Sequence, residues 1–220
     1  MSIDYSVIMP FMPLFLEGAW MTVKLSVLSL SLGLVLGAFG GLSKTSSLWP
    51  LRSIANLYTW MFRGTPLLVQ LFILYFGLPQ IGLSLEPFQA GVLGMALNTG
   101  AYCTEIVRSG LMAVDRGQRE AASALGMSPA VAMFRVIGPQ AVRIMIPPLV
   151  NQFVMTIKNS SMVSLVTITE LFRTGESVIV STFRSFEVYT IVAAIYLVMT
   201  SVLMALAKRL EKGLNAHEQA

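Results

Sequence analysis

Long apolar stretches alternate with short polar ones along the whole chain. The stretches at 18–42, 54–78, 88–111, 144–169 and 188–207 each reach the roughly 20 residues that a helix needs to cross a bilayer. From Val188 to Ala207 there is no charged residue. The first stretch carries only Lys24, close enough to one end for its ammonium to snorkel. Gly33, Gly37 and Gly41 recur every fourth position there, a small-residue face on which another helix can approach closely. The fourth stretch is interrupted by Lys158-Asn159-Ser160-Ser161. The pattern predicts an all-α membrane protein with about five transmembrane helices. No internal repeat is visible, and the other segments are too short for a second domain, so residues 1–220 read as one transmembrane domain.

The positions of the basic residues orient these spans, because cytoplasmic loops collect Lys and Arg. Lys44 and Arg52 lie between the first two spans. Arg108, Arg116, Arg119, Arg135 and Arg143 flank or separate the third and fourth, and Lys208, Arg209 and Lys212 follow the last. The opposite side carries only Arg173 and Arg184. This predicts an outside N-terminus, a cytoplasmic C-terminus and a cytoplasmic insert at about 115–140. Composition agrees: 55% of residues are hydrophobic and 12% charged, against about 25% charged in soluble domains, and the mean hydropathy is +0.72. The net charge of +4 sits at helix ends, which is what membrane topology produces, and no nucleic-acid partner is expected. One cysteine, Cys103, and one histidine, His217, exclude a disulfide framework and a Cys/His metal site. No Ser/His or Cys/His constellation supports catalysis, so no enzyme is expected. The N-terminal MSIDYSVIMPFMP has no basic residue before its apolar part, unlike a cleaved signal peptide, so insertion relies on the first spanning helix.

Within the insert, GQREAASALGMSP at 117–129 is polar and helix-forming amid lipid-soluble sequence. Glu120 to Leu125 are mostly good helix formers, and Gly126 suits the left-handed position that ends a helix. Ser128 can cap a second helix whose first position is Pro129, with Gly138-Pro139 predicted to stop it. Two short helices joined by a tight turn result. Val131, Phe134 and Val136 form an apolar set that should pack on the membrane helices or on a partner. Glu120 reads as a cap or first-turn partner of its own helix dipole, or as a contact to another protein. The insert is either a connecting loop or a docking element for a cytosolic protein. Reading it as a DNA-binding helix–turn–helix fails, since its second helix is apolar.

Charged and polar groups at bilayer depth usually face an interior or a watery path. Arg63 lies well inside the second span and is followed by Gly64-Thr65-Pro66, where proline favours a break. Asn98, Tyr102 and Glu105 share one face of the third span at helical spacing. Arg63 and Glu105 either pair structurally or line a path. The run Lys158, Asn159, Ser160 and Ser161 predicts an irregular helix lining a cavity.

Glu120-Ala121-Ala122, Gly126, Val136 and Pro139 resemble the EAA motif of permease subunits in ATP-binding-cassette importers. Val136 stands for the usual Ile, and Gly138 stands where Leu is usual. FRGTPLLVQLF (62–72), AYCTEIVRSG (101–110), IPPLVNQF (146–153), KNSSMVSLV (158–166) and TFRSFEVY (182–189) extend the resemblance over nearly the whole chain, to the polar amino-acid branch of these permeases, the histidine/glutamine type. There the fourth segment is usually Lys-Asp-Thr-Ser-Leu, so KNSSM departs at three of five positions.

The resemblance implies the type I importer permease fold in a bacterial cytoplasmic membrane. It implies that the insert is a coupling element, with Glu120, Ala121, Ala122, Gly126 and Pro139, seated on one of two cytosolic ATPase subunits. It also implies a second permease subunit, identical or a sister chain, and an extracytoplasmic solute-binding protein at the outer loops 79–87 and 170–187. ATP and Mg would be bound by the ATPase, and this chain has no GxxxxGK[ST] phosphate loop. The amino acid would pass Arg63, Thr65, Asn98, Tyr102, Glu105 and the 158–161 run, which supply the donors and acceptors a zwitterion needs. The alternative is an ion-gradient-driven secondary transporter or channel subunit. Five spans without a repeat, and an insert that would then have no purpose, speak against it.

Overall fold

The computed structural model describes residues 3–215, with side chains through 209, so His217 lies outside the described residues. The regular elements are helical: α1 (Met12–Thr45), α2 (Trp49–Gly64), α3 (Leu67–Phe72), α4 (Pro87–Ala113), α5 (Arg116–Ala124), α6 (Pro129–Ala132), α7 (Gly138–Asn159), α8 (Leu171–Thr182) and α9 (Ser185–Asn215). Two short 3-10 turns precede α1, and their Ile8 is buried with Phe15, Leu171 and Val188. α4 forms the centre, packed against α1, α7 and α2.

α1 and α4 run parallel, and glycines make their contact possible. A Cβ at Gly33 would lie 3.2 Å from the Gly100 nitrogen, one at Gly37 3.0 Å from the Cys103 carbonyl carbon, and one at Gly41 2.5 Å from Val107 Cγ1. The small-residue face of α1 therefore packs within the subunit, as close approach of backbones in lipid requires. The same seam brings the C-terminal end of α1 beside that of α4, so Lys44 and the insert share one end of the bundle.

Three helical stretches among the described residues are long and apolar enough to cross a membrane: Tyr5–Thr45, Pro129–Val166 and Ser185–Arg209. A fourth, Trp49–Gly64 with Leu67–Ile81, is bent by 104°. The span expected at 54–78, with a break favoured at Gly64-Thr65-Pro66, is thus two arms. Thr65 and Pro66 are extended, and Pro66 cannot continue the helical ladder. α4 has 27 residues, or about 40 Å at helical rise, but is less apolar. Most of its surface meets other helices instead of lipid, so its Asn, Thr and Glu residues are tolerated.

Near the other end, Glu170 is buried and caps α8. Its carboxylate accepts from the Arg173 amide at 2.9 Å, the Tyr196 hydroxyl at 2.8 Å and the Thr22 hydroxyl at 3.2 Å, tying α1, α8 and α9 together.

Gly37→Val should force α1 off α4 and cost about 1–3 kcal/mol by overpacking. It should lower the thermal unfolding midpoint in detergent, whereas Gly64→Ala, with nothing within 4 Å of the added carbon, should leave it within a degree or two.

Candidate functional site

The break between α2 and α3 opens a cavity of about 540 Å³, walled by Arg63 to Leu68, Asn98 and Tyr102 of α4, and Gln152, Met155, Asn159 and Met162 on and just beyond α7. A recess of about 370 Å³ adjoins it, lined by Arg63, Tyr102, Glu105, Arg108, Ser109 and Gln152. On the opposite side of the bend a third groove, with Trp60, Met61, Ile73 and Leu74, is almost wholly apolar.

Charge concentrates where the first two spaces meet. Glu105 accepts from Lys44 of α1 and, at 2.8 Å, from Arg108 one turn along α4, while Arg63 of α2 stands 3.6 Å away. The guanidinium of Arg63 also lies 5.4 Å from the centre of the Tyr102 ring, a favourable cation–π placement. One carboxylate thus gathers three cations from three helices. Arg63 and Glu105 do pair, and both also line the open space, so the two readings of these residues are not exclusive. The excess positive charge suits an anionic group in the cavity.

The remaining candidates separate. Thr65 lines the cavity and donates its hydroxyl back to the Met61 carbonyl at 2.8 Å. Asn98 is nearly buried, on the cavity wall and hydrogen-bonded to Gln70 and to the Phe62 carbonyl. Of the run at 158–161 only Asn159 reaches the wall. Lys158 is exposed, and the hydroxyls of Ser160 and Ser161 donate to the carbonyls of Ile157 and Lys158. The reason is local: α7 ends at Asn159 and tightens into a 3-10 turn over Ser160–Val166, so these serines satisfy backbone groups freed by the change of helix type. Sequence reasoning missed Gln70, Gln152 and Lys44. Gln152 stands seven residues before Asn159, two turns along one face, a spacing that could have flagged it. Gln70, inside an apolar run just past a proline break, could have been found as a partner for the carbonyls freed there.

The insert is held firmly. Asp115 caps α5, accepting from the Gly117 amide at 2.7 Å, and the Arg119 guanidinium donates to the Leu111 carbonyl at the end of α4. Gly126, at φ 72°, sends its amide to the Ser123 carbonyl, and Met127 sends its amide to Ala122, both at 3.0 Å. This is the paired-bond ending that needs a left-handed residue. Ser128 caps α6, with Pro129 in the first turn. Ala122 is buried with Leu111, Val114, Ile137 and Met145, while Glu120, Ala121 and Gly126 face outward. Because α5 begins at Arg116, Glu120 sits past the first turn and does not cap its helix, so of the two readings given for it the cap and first-turn one does not hold. Gly138-Pro139 also does not stop the second helix. The chain passes through a π turn, Met133–Ile137, directly into α7. That wide turn accommodates Pro139, and a Cβ at 138 would lie 2.6 Å from the Met133 oxygen. Pro139 is exposed. Val136 packs on the core beneath the insert, but Phe134 is 81% and Leu125 75% exposed.

The apolar helices and the cavity at a broken one define an all-α membrane protein with a space inside it. Residues 30–216 match the family described as binding-protein-dependent transport system inner membrane component, and the chain belongs to that family. It is 40% identical over 217 residues to the glutamine transport system permease protein GlnP of Escherichia coli K12, covering 98% of this chain and 99% of that protein. It is 37% identical over 219 residues to the arginine transport system permease protein ArtQ of Bacillus subtilis 168, covering 99% and 100%. Among solved structures it is similar to a chain of an amino acid ABC transporter with histidines, with a TM-score of 0.92 and 43% identity over 96% of this chain and 99% of that one. The inward-facing methionine transporter MetNI shares the fold at TM-score 0.80 and 19% identity, over 93% of this chain and 98% of that one. The chain is a permease subunit and not a catalytic one, and nucleotide is bound by a partner ATPase.

Glu105→Gln should leave the nearly buried Lys44 ammonium without its anion and cost about 2 kcal/mol. The check is the thermal midpoint in lipid nanodiscs, where Arg108→Gln, at a half-exposed site, should shift it by less.

Proposed function

We propose that the chain is the permease subunit of an ATP-driven amino-acid importer in a bacterial cytoplasmic membrane. It acts as a single transmembrane unit of five spans, with the N-terminus outside and the insert and C-terminus in the cytosol. The concentration of Lys and Arg at the end of the bundle that carries the insert supports this orientation. Two such subunits, identical or sister chains, enclose one path, and two ATPases seat on the two inserts. An extracytoplasmic binding protein delivers the amino acid to the outer loops. The relatives' names and the cavity's excess positive charge, suited to a carboxylate, support an amino-acid cargo.

The observation that carries the coupling role is the contrast between the two sides of the insert. Ala122 and Ile137 are buried on α4 and α7, while Leu125 and Phe134 stand exposed. A body so fixed moves with the helices to which it is bonded. An ATPase that closes on ATP can pull on Phe134 and Leu125 and, through α4 and α7, alter the cavity. Gly126 keeps the turn tight, and Glu120 and Ala121 offer a charged and a flat surface to the partner. Pro139 begins the stiff helix behind the contact. ATP shifts the permease between outward- and inward-facing states to the extent that the closed ATPase prefers one of them. Cargo on the path meets Arg63, Thr65, Asn98, Tyr102, Glu105 and Asn159. Lys158, Ser160 and Ser161 act at the helix change beside it.

The test is ATP-dependent uptake into vesicles reconstituted with permease, ATPase and binding protein. Uptake should stop when ATP is withheld from the insert side, and uptake driven by an ion gradient alone would exclude this function. Phe134→Asp should abolish co-purification of the ATPase without preventing membrane insertion. Gly126→Val should weaken docking through about 1–2 kcal/mol of left-handed backbone strain, and Gly126→Asn should largely spare it.

A further inference from the structure

The hydrogen bonds at the helix break determine which way one cavity amide points. Gln70 of α3 is nearly buried, and the two protons of its Nε2 are directed one at the Phe62 carbonyl, 2.9 Å away, and one at Thr65, whose hydroxyl at 2.8 Å and carbonyl at 3.1 Å share it. Carbonyls only accept, so the NH2 of Gln70 must face them and its Oε1 must face the other way. That oxygen meets Asn98 Nδ2 at 3.1 Å, and the same Nδ2 donates to the Phe62 carbonyl at 3.2 Å. Both of these acceptors require an N–H, so both protons of the Asn98 amide are engaged. Its Oδ1 makes no hydrogen bond among the described residues, and Asn98 lines the cavity.

We infer that Gln70 is a positioning residue for cargo recognition: it fixes the Asn98 amide so that Oδ1 is presented to the cavity as an acceptor for an N–H group of the cargo. Arg63, on the same wall, supplies the opposite pole, a donor for a carboxylate. Together the two set a polarity along the wall that matches a zwitterion. Reversing the Asn98 amide would set its oxygen against two other acceptor oxygens, so the orientation is held by repulsion as well as by bonding. The inference rests on the proposal that the cavity lies on the cargo path.

The experiment is a double-mutant cycle on cargo affinity, using the permease–ATPase complex in nanodiscs without binding protein and equilibrium dialysis of radiolabelled L-glutamine, L-arginine and L-histidine. Asn98→Ala should weaken Kd for the bound probe about tenfold, as loss of one charge-assisted hydrogen bond does. Gln70→Glu, which has the same shape but cannot donate to the carbonyls, should weaken it to a similar extent. In the Asn98→Ala background Gln70→Glu should add less than about twofold, because a residue acting only through another has no further effect once that other is gone. Co-purification of the ATPase reports assembly, and Gln70→Met serves in the cycle if Gln70→Glu does not assemble. Equal losses from the Gln70 change in both backgrounds would overturn the positioning role and leave only a structural one. A Kd insensitive to the Gln70 change in the unmodified background would overturn it too. If no probe binds the unmodified complex, or if neither Asn98→Ala nor Arg63→Gln moves Kd, the cavity is off the cargo path and the proposal falls with that reading.

Discussion

The close, parallel contact between α1 and α4 sets the rest of the molecule. Helices in lipid gain little from hiding apolar surface, since the tails are as apolar as leucine, and they associate where backbones fit closely. Gly33, Gly37 and Gly41 remove the side chains that would hold α1 away from Thr99, Cys103 and Val107. Once α4 is covered in this way it can carry polar residues that a lipid-facing helix could not. Asn98, Thr104 and Glu105 all lie on it, and Lys44 at the end of α1 arrives beside Glu105 because the two helices share a direction. The charge cluster and the cavity wall are both consequences of that packing.

The break at Gly64–Pro66 poses the complementary problem. Lipid offers no hydrogen bonds, so every carbonyl freed by an interrupted helix needs a partner within the protein. Thr65 turns back to Met61, and Gln70 reaches Phe62 and Thr65. The groups that repair the break are polar, and they sit on or next to the wall of the space that the break creates. Repairing the backbone and furnishing a cavity are here carried out by the same few side chains.

Much of this was legible in the sequence. Caps and turn residues are local chemistry, so Gly126, Ser128 and Pro129 could be placed in advance, as could the small-residue face of α1 and the proline break. What was not legible depended on tertiary partners or on a helix type with no simple sequence signature. Ser160 and Ser161 looked like cavity residues because four polar positions in an apolar stretch invite that reading, yet a change to a tighter helix gave their hydroxyls nearer carbonyls. Gly138-Pro139 looked like a stop because the pair usually ends an α-helix, but a π turn lets the chain continue. Glu120 could be read as a first-turn residue or as an outward contact until the start of α5, four residues earlier, was placed. The role of Gln70 emerged only when α2, α3 and α4 were seen together.

The π turn at Met133–Ile137 also sets a phase. A turn closed by a bond five residues back takes in one extra residue, and in an α-helix each residue advances the face by about 100°. The faces of α7 are therefore clocked relative to the insert by that single residue. Gln152 and Asn159, which line the cavity, lie on that helix. α6, the π turn and α7 follow one another without a loop, with Pro147 and Pro148 inside α7, so the insert and the cavity wall are connected like a handle and the bit of a key. No loop separates the two ends, and the geometry of the wards is cut by the width of one turn.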